Sequence, residues 1–587
     1  MTDMIPADPA GASGNALTED AGVAAERERL ARQLRETRMQ LAMTETRLAA
    51  LEQSATMKFG RTVANAAKKP WPRGALLPRD LYRLWRDRGQ PKSGAKNAAT
   101  ALAAAQLADL SGTGGRFLSS LTAPGVLALA DPALTLAGGL SAGSVGTGAG
   151  LVITGAISAL GCATLAPDAV VHPLLPHDAD VLLEGTGADL VLIEAAALLP
   201  GAPWAYATDP AAADRGRRLA RLIVLARSLG KPVILIRNVP QSLMPGIGWL
   251  AASCDAVIDG GLGVQLARFN PIGITVARAT TPVYAGARDP REAPAVRALL
   301  EALTEGPNPA VQLAGDAARS WRSLPALYRD HAVFVTASAD QAREQAASGA
   351  RVIGPLGSGT DAGTVRGQLE SVRGGRPAGI TDVRSWLREI FVNHATPARL
   401  AEIVRTAELP ADLVRGRQIA VLARVADGDA AGRLASALLD QRLRPTEVIA
   451  AVPSGTASAS AVREALGKLT DHDMRVVVTS PDGPAEAGPG DGGQGLDWAR
   501  PLARLADAPW LAPWTADHSS RPSTYLLDLA CARECAQADA VGFGTGEYEF
   551  THWLEQPALV RSALLAPGGP AAADWGSHGL RLFTIIA

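Results

Sequence analysis

Short apolar runs alternate with amphipathic stretches through most of this chain, and the rhythm is that of strand, helix, strand. The clearest block is Ala326–Pro355, ALYRDHAVFVTASADQAREQAASGARVIGP. Val333–Thr336 reads as a short buried strand and Asp340–Ser348 as a helix. Gly349 stops that helix as glycine does at a C′ position, and Arg351–Gly354 is a second strand. Upstream, Val126–Ala130, Leu151–Thr154, Leu190–Ile193, Val233–Ile236, Ala256–Ile258 and Ile274–Ala277 are further apolar runs, with helical stretches such as Arg217–Leu229 between them. Strands alternating with helices predict parallel, doubly wound sheets. Downstream, Arg417–Pro453 reads strand, loop, amphipathic helix, strand. Met474–Thr479 and Leu580–Ile586 add strands, and Pro481–Gly495 is a loop by composition.

The first hundred residues follow other patterns. Residues 1–22 have the composition of a disordered arm. Within 23–56, Leu30, Leu34, Thr37, Leu41, Thr44, Leu48 and Leu51 alternate spacings of four and three, a heptad seam. Two readings fit it: a coiled coil that pairs protomers into a homo-oligomer, or one helix docked on its own chain. Residues 57–100 form a basic amphipathic linker in which Lys58, Arg61, Lys68, Lys69, Arg73 and Arg79 mix with Trp71, Leu76, Tyr82 and Trp85. That mixture suits peripheral contact with an anionic membrane, and equally a helix packed on its own protein. Pro132–Pro167 carries no charge, yet Gly, Ser and Thr crowd it, so it predicts a buried α/β segment rather than a membrane span.

Composition narrows the class. A chain of 587 residues is too long for a single core. Its net charge of −1 supplies no field for nucleic acid. Cys162, Cys254, Cys531 and Cys535 are too few and too scattered for a disulfide framework, and buried thiols in a reducing, cytoplasmic setting fit them best. The N-terminus has no apolar core of a signal peptide.

The ordered motifs carry a resemblance. "G-A-D-L-V-L-I-E" at Gly187–Glu194, "G-K-P-V-I-L-I" at Gly230–Ile236 and "C-D-A-V-I-D" at Cys254–Asp259 come in the order seen in the CgeB/YkvP-like glycosyltransferases of the GT-B class. "A-S-G-A-R-V-I" at Ala347–Ile353 and the stretch Arg388–Leu409 resemble that family's nucleotide-sugar half and closing helix. The resemblance covers Pro124–Leu409 and implies an N-terminal Rossmann-type domain over 120–285 and a C-terminal nucleotide-sugar domain over 286–410. Residues 415–587 resemble a family 2, GT-A glycosyltransferase domain that has lost part of its site. The expected fold class is therefore α/β: an N-terminal coiled-coil helix, a GT-B-like pair of Rossmann-type domains, then a GT-A-like α/β domain.

The chemistry follows from these placements. The resemblance implies that Glu344 and Gly349 contact the donor, with Glu344 accepting from the ribose; the plain alternative is a solvated helix glutamate. Many related enzymes carry a second Glu eight positions earlier, where this chain has Thr336. The loop after the second strand, Gly357, Ser358, Gly359 and Thr360, offers backbone N–H groups to a diphosphate without a metal. Arg319, Arg322, Arg329 and Arg343 are nearby cations, most of them expected on the surface, with Arg343 facing away from Glu344. In the last domain only Asp517, with His518 beside it, stands where a metal-binding pair of carboxylates would be. Mn2+ or Mg2+ is the ion they would take, and the alternative is a turn or cap residue. Glu547 and Glu549 would share one strand face, with Tyr548 and Phe550 on the other. His172, His177 and His394 show no metal spacing, and packing against the first domain is the expected duty of His394 and Arg399. The reading is a glycosyltransferase moving sugar from a nucleotide-sugar donor to a cell-surface glycan or lipid-linked acceptor at the inner face of the membrane. The alternative is an inactive, glycosyltransferase-like scaffold of a polysaccharide-assembly complex.

Overall fold

The computed structural model describes residues 150–586 apart from 240–242, 245, 275–277, 287–293, 306–308, 315–320, 322, 357–359, 374–377, 453–457, 481–495, 515–520, 546–547 and 567–568. The heptad segment 23–56, the basic linker 57–100 and the run Val126–Ala130 lie outside the described residues. Leu174–Ala188 belongs to a unit apart from the rest and holds one short helix, Ala179–Gly185; 150–173 and 189–586 belong to a single compact unit.

The fold is α/β, with three sheets among the described residues. The first has strands β1 (Val152–Ala156), β2 (Val170–Pro173), β3 (Leu190–Glu194), β4 (Val233–Arg237) and β5 (Ala256–Asp259), in the order β2-β1-β3-β4-β5, all parallel. Every residue of β1 and β3 is buried, as befits strands covered on both faces, and the runs VITGA and LVLIE accordingly show no polar alternation. Helix α1 (Ala159–Leu165) follows β1, and helix α2 (Ala213–Ser228) precedes β4. Leu219, Leu222, Ile223 and Ala226 form the buried stripe of α2, and each of the three larger side chains contributes roughly 1.5–3 kcal/mol of burial. Gly230, at φ +67°, ends the helix while Lys231 N–H closes on the Ala226 carbonyl.

The second sheet is small and parallel: β6 (Val283–Tyr284), β7 (Gln312–Leu313), β8 (Val333–Val335) and β9 (Arg351–Ile353), ordered β7-β6-β8-β9. Helix α3 (Leu324–Asp330) precedes β8, and α4 (Ala339–Ala347) joins β8 to β9. Of the expected run Ile274–Ala277, Ile274 stands outside any strand, and 275–277 lie outside the described residues.

The stretch Arg388–Leu409 departs from one closing helix. It holds the end of α5 (Ile380–Asn393) and then α6 (Thr396–Thr406), broken at His394 and Ala395. The break has a cause. Val264 donates to the His394 carbonyl at 2.8 Å and accepts from Thr396 N–H at 3.1 Å, a parallel bridge that takes the backbone groups a continuous helix would use. Gly263 permits the approach, because a Cβ there would lie 2.8 Å from the Thr396 nitrogen.

The third sheet has eight strands in the order β12-β11-β10-β13-β16-β14-β17-β15. They are β10 (Ile419–Arg424), β11 (Glu447–Ala451), β12 (Arg475–Thr479), β13 (Trp510–Trp514), β14 (Ala540–Phe543), β15 (Glu549–Thr551), β16 (Pro557–Arg561) and β17 (Leu582–Ile585). The four strands β12-β11-β10-β13 are mutually parallel, and β16 runs antiparallel to both its neighbours. Helix α7 (Gly428–Leu439) follows β10, and α8 (Tyr525–Ala536) precedes β14. Paired forks join α5 and its neighbourhood to α8: Arg388 holds Asp528 at 2.7 and 2.8 Å, and Arg417 holds Glu534 at 2.8 and 2.7 Å. All four cysteines are buried and unpaired. Among the described residues, no helix is long and apolar enough to cross a membrane.

Candidate functional site

Helix α4 starts where β8 ends. Ser338 caps it, its Oγ accepting from Gln341 N–H, and the fully buried Thr336 takes the Ser338 N–H on its own hydroxyl at 3.2 Å. Thr336 therefore builds the turn into the helix. At the other end, Gly349 adopts φ +79°, and its carbonyl accepts from Arg278 at 2.6 Å. Arg278 also holds the Tyr328 carbonyl at 2.7 Å and that of His331. Gly349 thus lies just before the start of β9, while Thr360 follows the end of that strand. Gly357, Ser358 and Gly359 lie outside the described residues; Thr360 is half-buried.

Glu344 lies midway along α4 and is half-buried rather than solvated. Its carboxylate accepts no hydrogen bond among the described residues, and its pKa is pushed up to about 8. Burial is the main cause and the Asp340 charge adds to it, while Arg268 pulls the other way. Arg268 stands in the segment that leaves the first sheet, with its guanidinium 4.1 Å from the Trp321 ring centre. Asp340, one turn before Glu344, lies against the turn after β5: a Cβ on Gly261 would come within 2.4 Å of its Oδ2. This face of α4 therefore looks onto the seam between the first and second sheets.

The seam is polar. Arg399 donates from Nε to the Gly261 carbonyl at 2.8 Å and from Nη2 to the Asp259 carbonyl, and pairs with Glu402 at 2.5 Å. Asp259 is gripped by both ends of Arg237, at 2.6 and 2.8 Å, which lowers its carboxyl pKa. Arg343 turns to Asp340 at 2.9 Å. Burial lowers the His394 pKa, as do the Arg343 and Arg399 charges, against Glu389 and Asp340. Arg329 is half-buried and donates to the Ile272 carbonyl at 2.7 Å; Arg319 and Arg322 are not described.

Sequence reasoning passed over a second carboxylate. Glu194 ends β3 and is 2% exposed. Its Oε2 accepts from Ser158 N–H at 2.7 Å and its Oε1 from Asn238 Nδ2 at 2.8 Å, while Asn238 Oδ1 takes Ala196 N–H at 3.0 Å. Burial raises the Glu194 pKa against these hydrogen bonds. Ser158 and Asn238 follow β1 and β4, so the cage closes the C-terminal ends of three strands, beside the point where strand order reverses between β1 and β3. Gly161 makes room, since a Cβ there would sit 2.3 Å from Oε2. The signal was legible: LVLIE is a wholly apolar strand that ends in a charge.

Asp517, His518 and Glu547 lie outside the described residues. Strand β15 begins only at Glu549, which is exposed, and Tyr548 precedes it with φ +56°. The expected alternation through Tyr548 is thus replaced by a turn, with Tyr548 buried and Phe550 half exposed. Among the described residues no group of three or more His, Cys, Asp or Glu could hold a metal.

No family model and no curated protein matches the chain. Among solved structures, a nucleotidyl transferase from Methanothermobacter thermautotroptrophicus is 17% identical over 29% of this chain and 87% of its own, with a TM-score of 0.21. S. aureus TarS 1-349 in complex with UDP-GlcNAc is 12% identical over 29% of this chain and 56% of its own, at 0.20. The same protein with UDP is 12% identical over 25% and 48%, at 0.18. The chain thus spans about half the length of TarS 1-349. Likeness at this level carries no argument about fold or activity, which rest on the chain's own residues.

Proposed function

We propose that this protein is a glycosyltransferase that takes a nucleotide-sugar donor at the seam between its first two sheets and passes the sugar to a cell-surface glycan or lipid-linked acceptor. The supporting observation is Glu344: a half-buried carboxyl with no hydrogen-bond donor among the described residues, on the face of α4 that meets the turn after β5. Ribose hydroxyls would supply the missing donors, as the CgeB-like motif implies. In this reading the first two sheets need no metal. Arginine side chains and backbone N–H groups neutralise the diphosphate, and any Mn2+ or Mg2+ would belong to Asp517 and His518.

The carboxyl pKa of about 8 sets a direction for pH. Hydroxyl donors favour the ionised form, so donor affinity should rise as pH goes from 7 to 9. The test is thermal stabilisation of the full chain by UDP- and GDP-linked hexoses, in EDTA and with Mn2+. A donor at 100 times its Kd adds ~2.7 kcal/mol. Glu344→Ala should abolish the shift; an unchanged shift takes Glu344 out of the site. If no donor stabilises the intact chain, the scaffold reading replaces the enzyme.

A further inference from the structure

The parallel half of the eight-stranded sheet runs from β10 to β11 to β12 on one side, and the chain then returns to pair β13 on the other side of β10. Open α/β sheets bind ligands outside the C-terminal ends of the strands at such a reversal. Trp514 is the last residue of β13, and Tyr525 opens α8. Between them stands Arg521, its guanidinium carbon 4.4 Å from the Trp514 ring centre and 4.0 Å from that of Tyr525. Both rings are buried, and Phe543 backs Tyr525 at 5.3 Å.

Aromatic faces offset part of a cation's desolvation but supply no carboxylate. The Arg521 Nη1 is buried and has no hydrogen-bond partner among the described residues. Burial lowers its pKa to about 10, and among the described residues the group that acts in the other direction is the Tyr525 hydroxyl, itself pushed up to about 12 and so neutral at pH 7. Two arginines that pack on α8 are met differently: Arg388 and Arg417 grip carboxylates with both arms. Arg278 and Arg533 each also leave a buried Nε without a partner among the described residues, but their terminal nitrogens hold carbonyls, whereas in Arg521 it is a terminal Nη that is unmet. A desolvated guanidinium with an unmet N–H is costly unless something anionic completes it. Helix α8 adds to the attraction. It is twelve residues long, and its N-cap, Thr524, makes no side-chain cap bond because its hydroxyl turns to Asp528 at 3.1 Å. The Asp528 charge is in turn taken by Arg388.

We propose that Arg521, held between Trp514 and Tyr525, is the cationic centre of an anion site that takes the phosphate or diphosphate group of a small-molecule ligand without a metal ion. The site belongs to the third sheet and does not rest on the reading of Glu344. Its planar fork suits two phosphate oxygens at once, which an ammonium cannot match.

Isothermal titration of the full-length protein with sodium pyrophosphate in EDTA tests this. The intact chain should bind, Arg521→Gln should weaken binding by at least ~10-fold, and Arg521→Lys should fall between them. Arg227→Gln, which removes an exposed cation elsewhere, should leave pyrophosphate binding unchanged. The proposal is overturned if Arg521→Gln, folded by circular dichroism, binds as the parent does, if the intact chain does not bind, or if it binds only when Mn2+ is added. Should Arg521→Gln fail to fold, Arg521→Lys decides, and full retention of affinity in that variant overturns it.

Discussion

Glu194 and Glu344 are two carboxyl groups raised in pKa by burial, and their surroundings could hardly differ more. Glu194 is closed in: a backbone N–H, a side-chain amide and the bare Cα of Gly161 leave no room for a ligand. Glu344 has an arginine in range but no donor in place among the described residues. Burial alone therefore does not mark a binding residue. A satisfied carboxylate ties strands together, while an unsatisfied one at a seam is available to something that brings donors.

The contrast breaks most sharply by mutation. Glu194→Ala should cost ~3 kcal/mol, because it empties a packed site and strands the Ser158 and Asn238 donors. Urea unfolding measures this, and a loss under ~1 kcal/mol would show that the cage holds nothing together. Gly161→Ala should cost ~2 kcal/mol through overpacking against the same carboxylate, and an equal urea midpoint would refute the steric argument.

Glu344 should betray itself through pH. Its pKa rises from the ordinary 4.5 to about 8 on folding, so the folded state binds the extra proton between those values. Stability should then fall as pH climbs through that window, by at most ~1.4 kcal/mol per unit, and less for a half-exposed group. Glu344→Gln should flatten the slope; a slope equal to the parent's would assign it to other groups. The smallest effect belongs to the turn that presents α4. Ser338→Ala should cost ~1 kcal/mol as a lost helix cap without altering the pH slope, and a changed slope would mean that the cap, not Glu344, carries it.

Much of this architecture was legible one residue at a time. Apolar runs such as VILIR and LVLIE could only be strands buried on both faces, and Gly349 and Gly230 could only close helices, because period and backbone sterics are local properties. The block around Glu344 was visible for the same reason. Three things were not. The reversal of strand order that sets β10 between β11 and β13 joins residues some ninety positions apart. The break at His394 exists because Val264, far back in the chain, claims its carbonyl. And whether a buried charge is met or left wanting depends on which distant groups arrive beside it: Asn238 reaches Glu194, Asp528 reaches Arg388, and among the described residues no carboxylate reaches Arg521. Composition fixes how many charges a chain carries, but only the packed chain decides which of them find partners, since pairing energy falls with distances that no linear order records.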